Sequence, residues 1–183
     1  MRDIQAAAIE LFECLGYEAV TVEAVAAAAE VSAPTVYRQF GSKERLVLWD
    51  EYDPMVFAAI RDRLRTELPF EAVRGSLIEI LDDIYADDSG RIRRRMKLML
   101  NTPALIAANA AGSAATRDEL ARLMLEAHPD LDRLGARLLG GVIMAALEVS
   151  VLHWFEHDEV SLAVVFDVVF ARLNEIVAKA GGT

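Results

Sequence analysis

The 183 residues carry 19 basic and 29 acidic side chains, a net charge of −10, and 54% of them are hydrophobic. That charge argues against a protein that holds nucleic acid or an anionic membrane by bulk attraction, and the single cysteine, Cys14, excludes an intrachain disulfide. The hydrophobic fraction is rich in alanine set among Leu, Glu and Arg, with no strand-type alternation, so the chain reads as all-α and long enough to bury a sizeable core. No N-terminal stretch has the order of a signal peptide. The longest apolar stretch, Leu138 to Phe155, is interrupted by glycines and by Glu148, and reads as a buried helix rather than a membrane span. A soluble, cytoplasmic protein is expected.

The first helix is expected from Arg2 to Leu15, with Ile4, Ala8, Leu11, Phe12 and Leu15 on its buried face and Cys14 a small core residue at the edge of that face. Gly16 supplies a left-handed stop, after which Tyr17 folds back on the last turn. Thr21 is the N-cap of a second helix, Val22 to Glu30, with Val22, Val25, Ala26 and Ala29 inward. Ser32 caps a third, short helix that ends at Gly41. Pro34 in its first turn loses no hydrogen bond, and Val31 and Val36 are spaced for a hydrophobic staple. Val36 and Phe40, four residues apart, anchor this helix and leave Thr35, Tyr37 and Arg38 on a polar outer edge. The second and third helices with their tight turn read as a helix-turn-helix, whose short helix has the shape that enters a DNA major groove. Residues 1–45 nevertheless hold seven acidic groups against four basic ones, a poor electrostatic footprint for DNA.

Ser42 opens a fourth helix reaching about Thr66, in which Pro54 predicts a kink or break near Asp53-Pro54. That point is a candidate for coupling between the two ends of the helix. A fifth helix is expected over 70–85, with Val73, Leu77, Ile80, Leu81 and Ile84 inward, and a loop at Asp87-Asp88-Ser89-Gly90. The run Arg91-Ile92-Arg93-Arg94-Arg95-Met96-Lys97 opens a sixth helix. It is either a solvated basic face paired with nearby acids, or an anchor for an anionic ligand or for the helix-turn-helix. A seventh helix covers 104–127, although 107–115 lacks large side chains to pack. The eighth, 131–157, is apolar nearly all round from Leu138 on, and such a helix must be covered on every side. Ser161 caps a ninth, 161–178, with Leu162, Val165, Phe166, Val169, Leu173 and Val177 along one face. A homodimer through helices 131–157 and 161–178 is expected, with Gly140-Gly141 marking a close helix approach.

Leu11-Phe12, Gly16-Tyr17, Thr21-Val22, Val31-Ser32, Thr35-Val36-Tyr37, Phe40 and Ser42-Lys43-Glu44-Arg45-Leu46 together resemble the N-terminal domain of the TetR family of transcriptional regulators. The resemblance covers about residues 4–48. It implies a helix-turn-helix DNA-binding domain at 1–48 and a helical ligand-binding and dimerisation domain at 49–183. It implies phosphate contacts from Thr21, Tyr37 and Lys43, and base edges faced by Ala33, Pro34, Thr35 and Arg38. Ala33 stands where many members carry a polar or basic side chain, and the basic N-terminal arm common in the family is absent or very short. Both departures shift the expected affinity towards phosphate contacts and DNA shape. The expected function is a ligand-responsive regulator, a repressor released from a double-stranded DNA operator by a small lipophilic molecule, with no cofactor and no enzymatic activity. A DNA binder without a ligand is a further reading.

The candidate ligand-binding residues are Trp49, Tyr52, Met96, Met99, Met124, Met144, Glu148 and Trp154, each of which also serves as plain core packing. Glu148 is the most telling, because a carboxylate inside an apolar helix needs a polar partner. The alternative from another class is a zinc-dependent hydrolase. His153-Trp154-Phe155-Glu156-His157 matches H-x-x-E-H, in which His153 and His157 would bind zinc and Glu156 would act as base.

Overall fold

The computed structural model describes residues 1–157 and 159–180, with the side chains of all of these except 82–87 and 176–180. The expectations for the side chains of Ile84 and Val177 lie outside the described residues. Nine helices and no strand occur among the described residues: α1 (Arg2–Leu15), α2 (Val22–Ala28), α3 (Ala33–Phe40), α4 (Arg45–Leu48), α5 (Asp53–Arg63), α6 (Pro69–Asn101), α7 (Pro103–Ala127), α8 (Arg133–Glu156) and α9 (Leu162–Ala180). They form two compact units. Unit 1 is Met1–Glu51 with Gly90–Gly112, and unit 2 is Tyr52–Ser89 with the described residues from Ser113 onward.

In unit 1, α1 packs on α2 and α4, and α2 packs on α3. Ile4, Ala8, Phe12, Val22, Val25, Val36, Phe40, Leu46 and Val47 form the core, closed by Leu105 from the start of α7. The α1 face is narrower than its spacing predicts. Leu15 is 63% exposed and Cys14 is exposed too, because Gly16 (φ 86°) turns the chain away before a neighbour covers the last turn. Tyr17 does fold back, its ring 4.9 Å from that of Phe12. Thr21 and Ser32 cap as expected, accepting the amides of Ala24 (3.1 Å) and Thr35 (3.3 Å). Helix α2 stops at Ala28 rather than Glu30. Glu30 takes a left-handed φ of 54°, while its amide reaches Ala27 O and the amide of Val31 reaches Ala26 O. This is the helix-ending turn that usually employs glycine.

The fourth expected helix is not one kinked rod. It breaks into a single turn, α4, and a separate α5, in which Pro54 sits in the first turn, where its missing N–H costs nothing. The loop expected at Asp87–Gly90 is absent, and α6 runs through it for 33 residues. Turn-forming side chains in a helix interior cost less than about 1 kcal/mol each, and the helical segments on both sides outweigh them. Gly90 has helical geometry and open space where a Cβ would stand. The alanine-rich 107–115 likewise continues as helix within α7.

In unit 2, α8 packs on α9. Ile143, Trp154, Val165, Phe166 and Phe170 are buried, and Phe70 stacks at 5.0 Å on Phe170. Arg74 ties α6 to α9 through Asp167. Helix α8 has the length and mean hydropathy (1.7) of a membrane span. It is nonetheless two-faced: Ala136, Gly140, Ile143, Ala146, Ser150 and Trp154 are buried, whereas Leu134, Leu138, Val149 and Leu152 face outward. Glu148 lies on the outward side and is exposed, not enclosed. A Cβ at Gly140 would stand 3.1 Å from the Arg117 carbonyl oxygen of α7, so the glycine permits the expected close approach.

Gly90→Ala should raise the thermal midpoint. Alanine gains about 1 kcal/mol over glycine in an open helix position, about 2–4 °C for a chain of this size. A loop at 87–90 would give the opposite sign. Gly140→Ala should lower the midpoint, because its methyl meets main chain of α7. Differential scanning calorimetry distinguishes the two directions.

Candidate nucleic-acid interface

Helix α3 has only eight residues and is held by its underside. Val36 and Phe40 are 1% and 2% exposed, and the Phe40 ring meets Trp49 edge-on at 5.8 Å. At 100° per residue the direction opposite these anchors is occupied by Arg38, flanked by Pro34 and Thr35. Pro34, Tyr37 and Arg38 are exposed, while Ala33 and Thr35 are half-buried. Arg38 has no ion-pair or hydrogen-bond partner among the described residues. The Thr35 hydroxyl is already paired with that of Ser32 at 2.9 Å. Gln39, also exposed, was missed by the sequence reading. It sits four residues after Thr35 on the same flank, and a helical wheel of this segment would have found it.

Thr21 and Lys43 belong to the neighbouring helix starts. The Thr21 hydroxyl accepts from Ala24 and keeps its own proton for donation. Lys43 is less free than expected. Its ammonium donates to the Tyr17 carbonyl and lies 4.2 Å from the centre of the Tyr17 ring. Burial first, and the charge of Glu44 second, hold the Tyr17 hydroxyl protonated far above its ordinary range. Glu44 is itself held below the usual carboxylate range, chiefly by a hydrogen bond from Ser42. Gly41 ends α3 with φ 80°.

Behind α3, the segment Trp49–Glu51 is fastened by long-range polar contacts. The fully buried Gln5 donates to the Trp49 carbonyl at 2.8 Å, and so does Arg95 at 2.8 Å. Arg95 also pairs with Asp50, and Arg94 pairs with Glu13. Glu51 takes Arg2 at 2.7 Å and Arg91, which also reaches the Gln5 oxygen. The basic run thus anchors the helix-turn-helix side of unit 1 rather than standing as a free anion site. Burial raises the Glu51 carboxyl, but hydrogen bonds from Arg2 and Arg91 outweigh it and leave the group below its usual range.

The expected ligand residues divide between the units. Trp49, Met96 and Met99 belong to unit 1, whereas Tyr52, Met124, Met144, Glu148 and Trp154 belong to unit 2. Met96, Met124 and Trp154 are buried, Trp49, Met99 and Met144 are half-buried, and the half-buried Tyr52 donates to Asp88 at 3.0 Å. The H-x-x-E-H residues close α8. His157 Nδ1 bonds the His153 carbonyl at 2.8 Å, the two rings stack at 4.1 Å, and Glu156 is exposed. Among the described residues no group of three or more His, Cys, Asp or Glu is placed to hold a metal.

Comparison with known proteins agrees with this geometry. A family model described as bacterial regulatory proteins of the tetR family matches residues 4–48, and one described as the MftR C-terminal domain matches residues 67–178. The HTH-type transcriptional regulator TcmR of Streptomyces glaucescens is 31% identical over 172 residues, covering 87% of this chain and 76% of that protein. Among solved structures, the TetR-family repressor FadR of Thermus thermophilus in complex with lauroyl-CoA aligns with a TM-score of 0.56 at 21% identity, over 95% of this chain and 93% of that one. A SmeT–triclosan complex aligns at 0.61 and 20% identity, over 93% and 90%. At these identities the two structures speak for the fold.

Because its folded value is depressed, Glu51 stabilises the fold above its unfolded value of about 4.3, and that contribution is lost as pH falls through the folded value. Glu51→Gln should therefore lower the melting temperature at pH 7 and flatten its decline between about pH 5 and 3. Circular dichroism melts across that range check both effects.

Proposed function

This chain belongs to the TetR family of transcriptional regulators, and from that premise we propose that it is a cytoplasmic, homodimeric repressor released from its operator by a small lipophilic molecule. The observation that carries the DNA-binding reading is α3 itself. Its apolar side is buried, its polar side is outward, and an arginine with no partner among the described residues stands at the centre of the outward side. Such an arginine forks onto the N7 and O6 of guanine.

DNA binding is assigned to residues 1–48 within unit 1. Arg38, Pro34 and Thr35 face bases, with Gln39 at the flank, Thr21, Tyr37 and Lys43 take phosphates, and Ala33 packs against the core instead. Lys43 gives one of its three donors to Tyr17, which leaves two. The net charge of −10 sharpens the demand on these contacts, because little non-specific attraction backs them up. Ligand binding and dimerisation are assigned to residues 49–183. Of the ligand candidates, Tyr52, Met124, Met144 and Trp154 share unit 2 and are the preferred set. The lipophilic character of the ligand is supported by the lauroyl-CoA and triclosan held by the FadR and SmeT structures. The outward stripe of α8, with Val164 and Val168 exposed on α9, supports a four-helix homodimer contact. The zinc-hydrolase alternative is set aside on the family assignment.

Genomic DNA captured by the purified protein should be enriched in pseudo-palindromes whose half-sites lie about one helical turn apart, roughly 34–36 Å. Arg38→Ala should weaken binding to these sites by about tenfold or more, since a bidentate base contact is worth about 1–3 kcal/mol. Adding lauroyl-CoA or triclosan as probes tests release. No selective enrichment by the wild-type protein would overturn the regulator reading.

A further inference from the structure

Three features of unit 2 are unexplained by its own packing. The first is an open groove of about 580 Å³ between α7 and α8, rimmed by Arg117, Asp118 and Arg137 and floored by Leu138, Gly141 and Ala145. The second is charge. Arg117 and Arg137 are exposed with no partner among the described residues, in a chain with ten more acids than bases. Asp118 on the same rim offsets one arginine and leaves a single positive charge. The third is Glu148, likewise exposed and without a partner, set beside the apolar stripe of α8.

The stripe itself is self-complementary. Leu134, Leu138, Gly141, Ala145, Val149 and Leu152 follow one another at intervals of four, three, four, four and three residues. Turned end for end about the level of Ile143, Leu134 falls opposite Leu152, Gly141 opposite Ala145, and Leu138 opposite Glu148 and Val149. The small Gly141 and Ala145 stand at the crossing, where two helices must come closest. Arg137 and Glu148 are eleven residues apart, close to three turns, and so lie on one flank of the stripe. A two-fold axis perpendicular to antiparallel helices keeps that flank on the same side in both copies. It therefore brings Arg137 level with the partner's Glu148.

We propose that the occupant of this groove is Glu148 of a second copy of the chain. The pair Arg137–Glu148 forms twice across an antiparallel α8–α8 contact and sets its register, with Arg117 closing the rim. The close crossing of α7 at Gly140 holds Arg117 in place for this. The inference rests on the homodimer proposed above and goes further, naming the charged contact that selects one alignment of two otherwise slippery apolar faces.

Sedimentation equilibrium of the full chain tests it with Glu148→Arg, Arg137→Glu and the two combined. Each single reversal should raise the dimer dissociation constant about tenfold or more, Glu148→Gln should do so less, and the double reversal should restore it to within about threefold of wild type. Helical circular dichroism should stay unchanged, since both side chains are exposed. A stable wild-type dimer indifferent to either reversal, or a double reversal as dissociated as the singles, overturns this register while leaving the homodimer standing. A wild-type chain that stays monomeric overturns the homodimer itself.

Discussion

A helix of eight residues has no stability of its own in water, and that constraint shapes unit 1. The outward edge of α3 is polar and contributes nothing to holding it. Its position is set by two side chains, Val36 and Phe40, and by the caps at either end. The Ser32 hydroxyl takes the Thr35 amide, and Gly41 turns the chain out of the helix. Everything around it serves that mounting. Ala26 of α2 is buried in the same core, Glu30 supplies the left-handed residue in the turn, and Trp49 presses edge-on against Phe40.

The mounting extends further along the chain than the helix-turn-helix. Trp49–Glu51 follows α4 as irregular backbone, and its carbonyl and carboxylates would be poorly satisfied alone. Gln5, Arg2, Arg91 and Arg95 converge on it. Two of these arginines come from the second half of α6, whose first half belongs to unit 2. One continuous helix therefore contributes residues to both units. Several of these ion pairs are only partly buried, so each is modest in strength. Their effect is to select one arrangement of the segment.

Local features were legible in the sequence because they depend on residues within about one helical turn of each other. Thr21 and Ser32 announce their caps, Gly16 and Gly41 their stops, and Pro54 the break between α4 and α5. The same reading failed where a local preference was weak and the wider helix decided. Asp87-Asp88-Ser89-Gly90 looks like a loop, yet α6 passes through it. Leu15 and Cys14 have the spacing of core residues, yet no neighbour arrives to cover them. The exposed edge that holds Arg38 is legible from helical periodicity, and Gln39 is exposed beside it.

What the sequence determined by itself is therefore the caps and stops of α1 to α3, the polar outer edge of α3, and the family to which they point. Tertiary structure decided which charges meet, because the partners of Arg91, Arg94 and Arg95 lie 40 to 86 residues away and no periodicity encodes such a pairing. It also decided how α8, apolar nearly all round from Leu138 on, divides into a buried face and an outward stripe. Composition places apolar residues all round that helix, and only the position of its neighbours says which of them are covered.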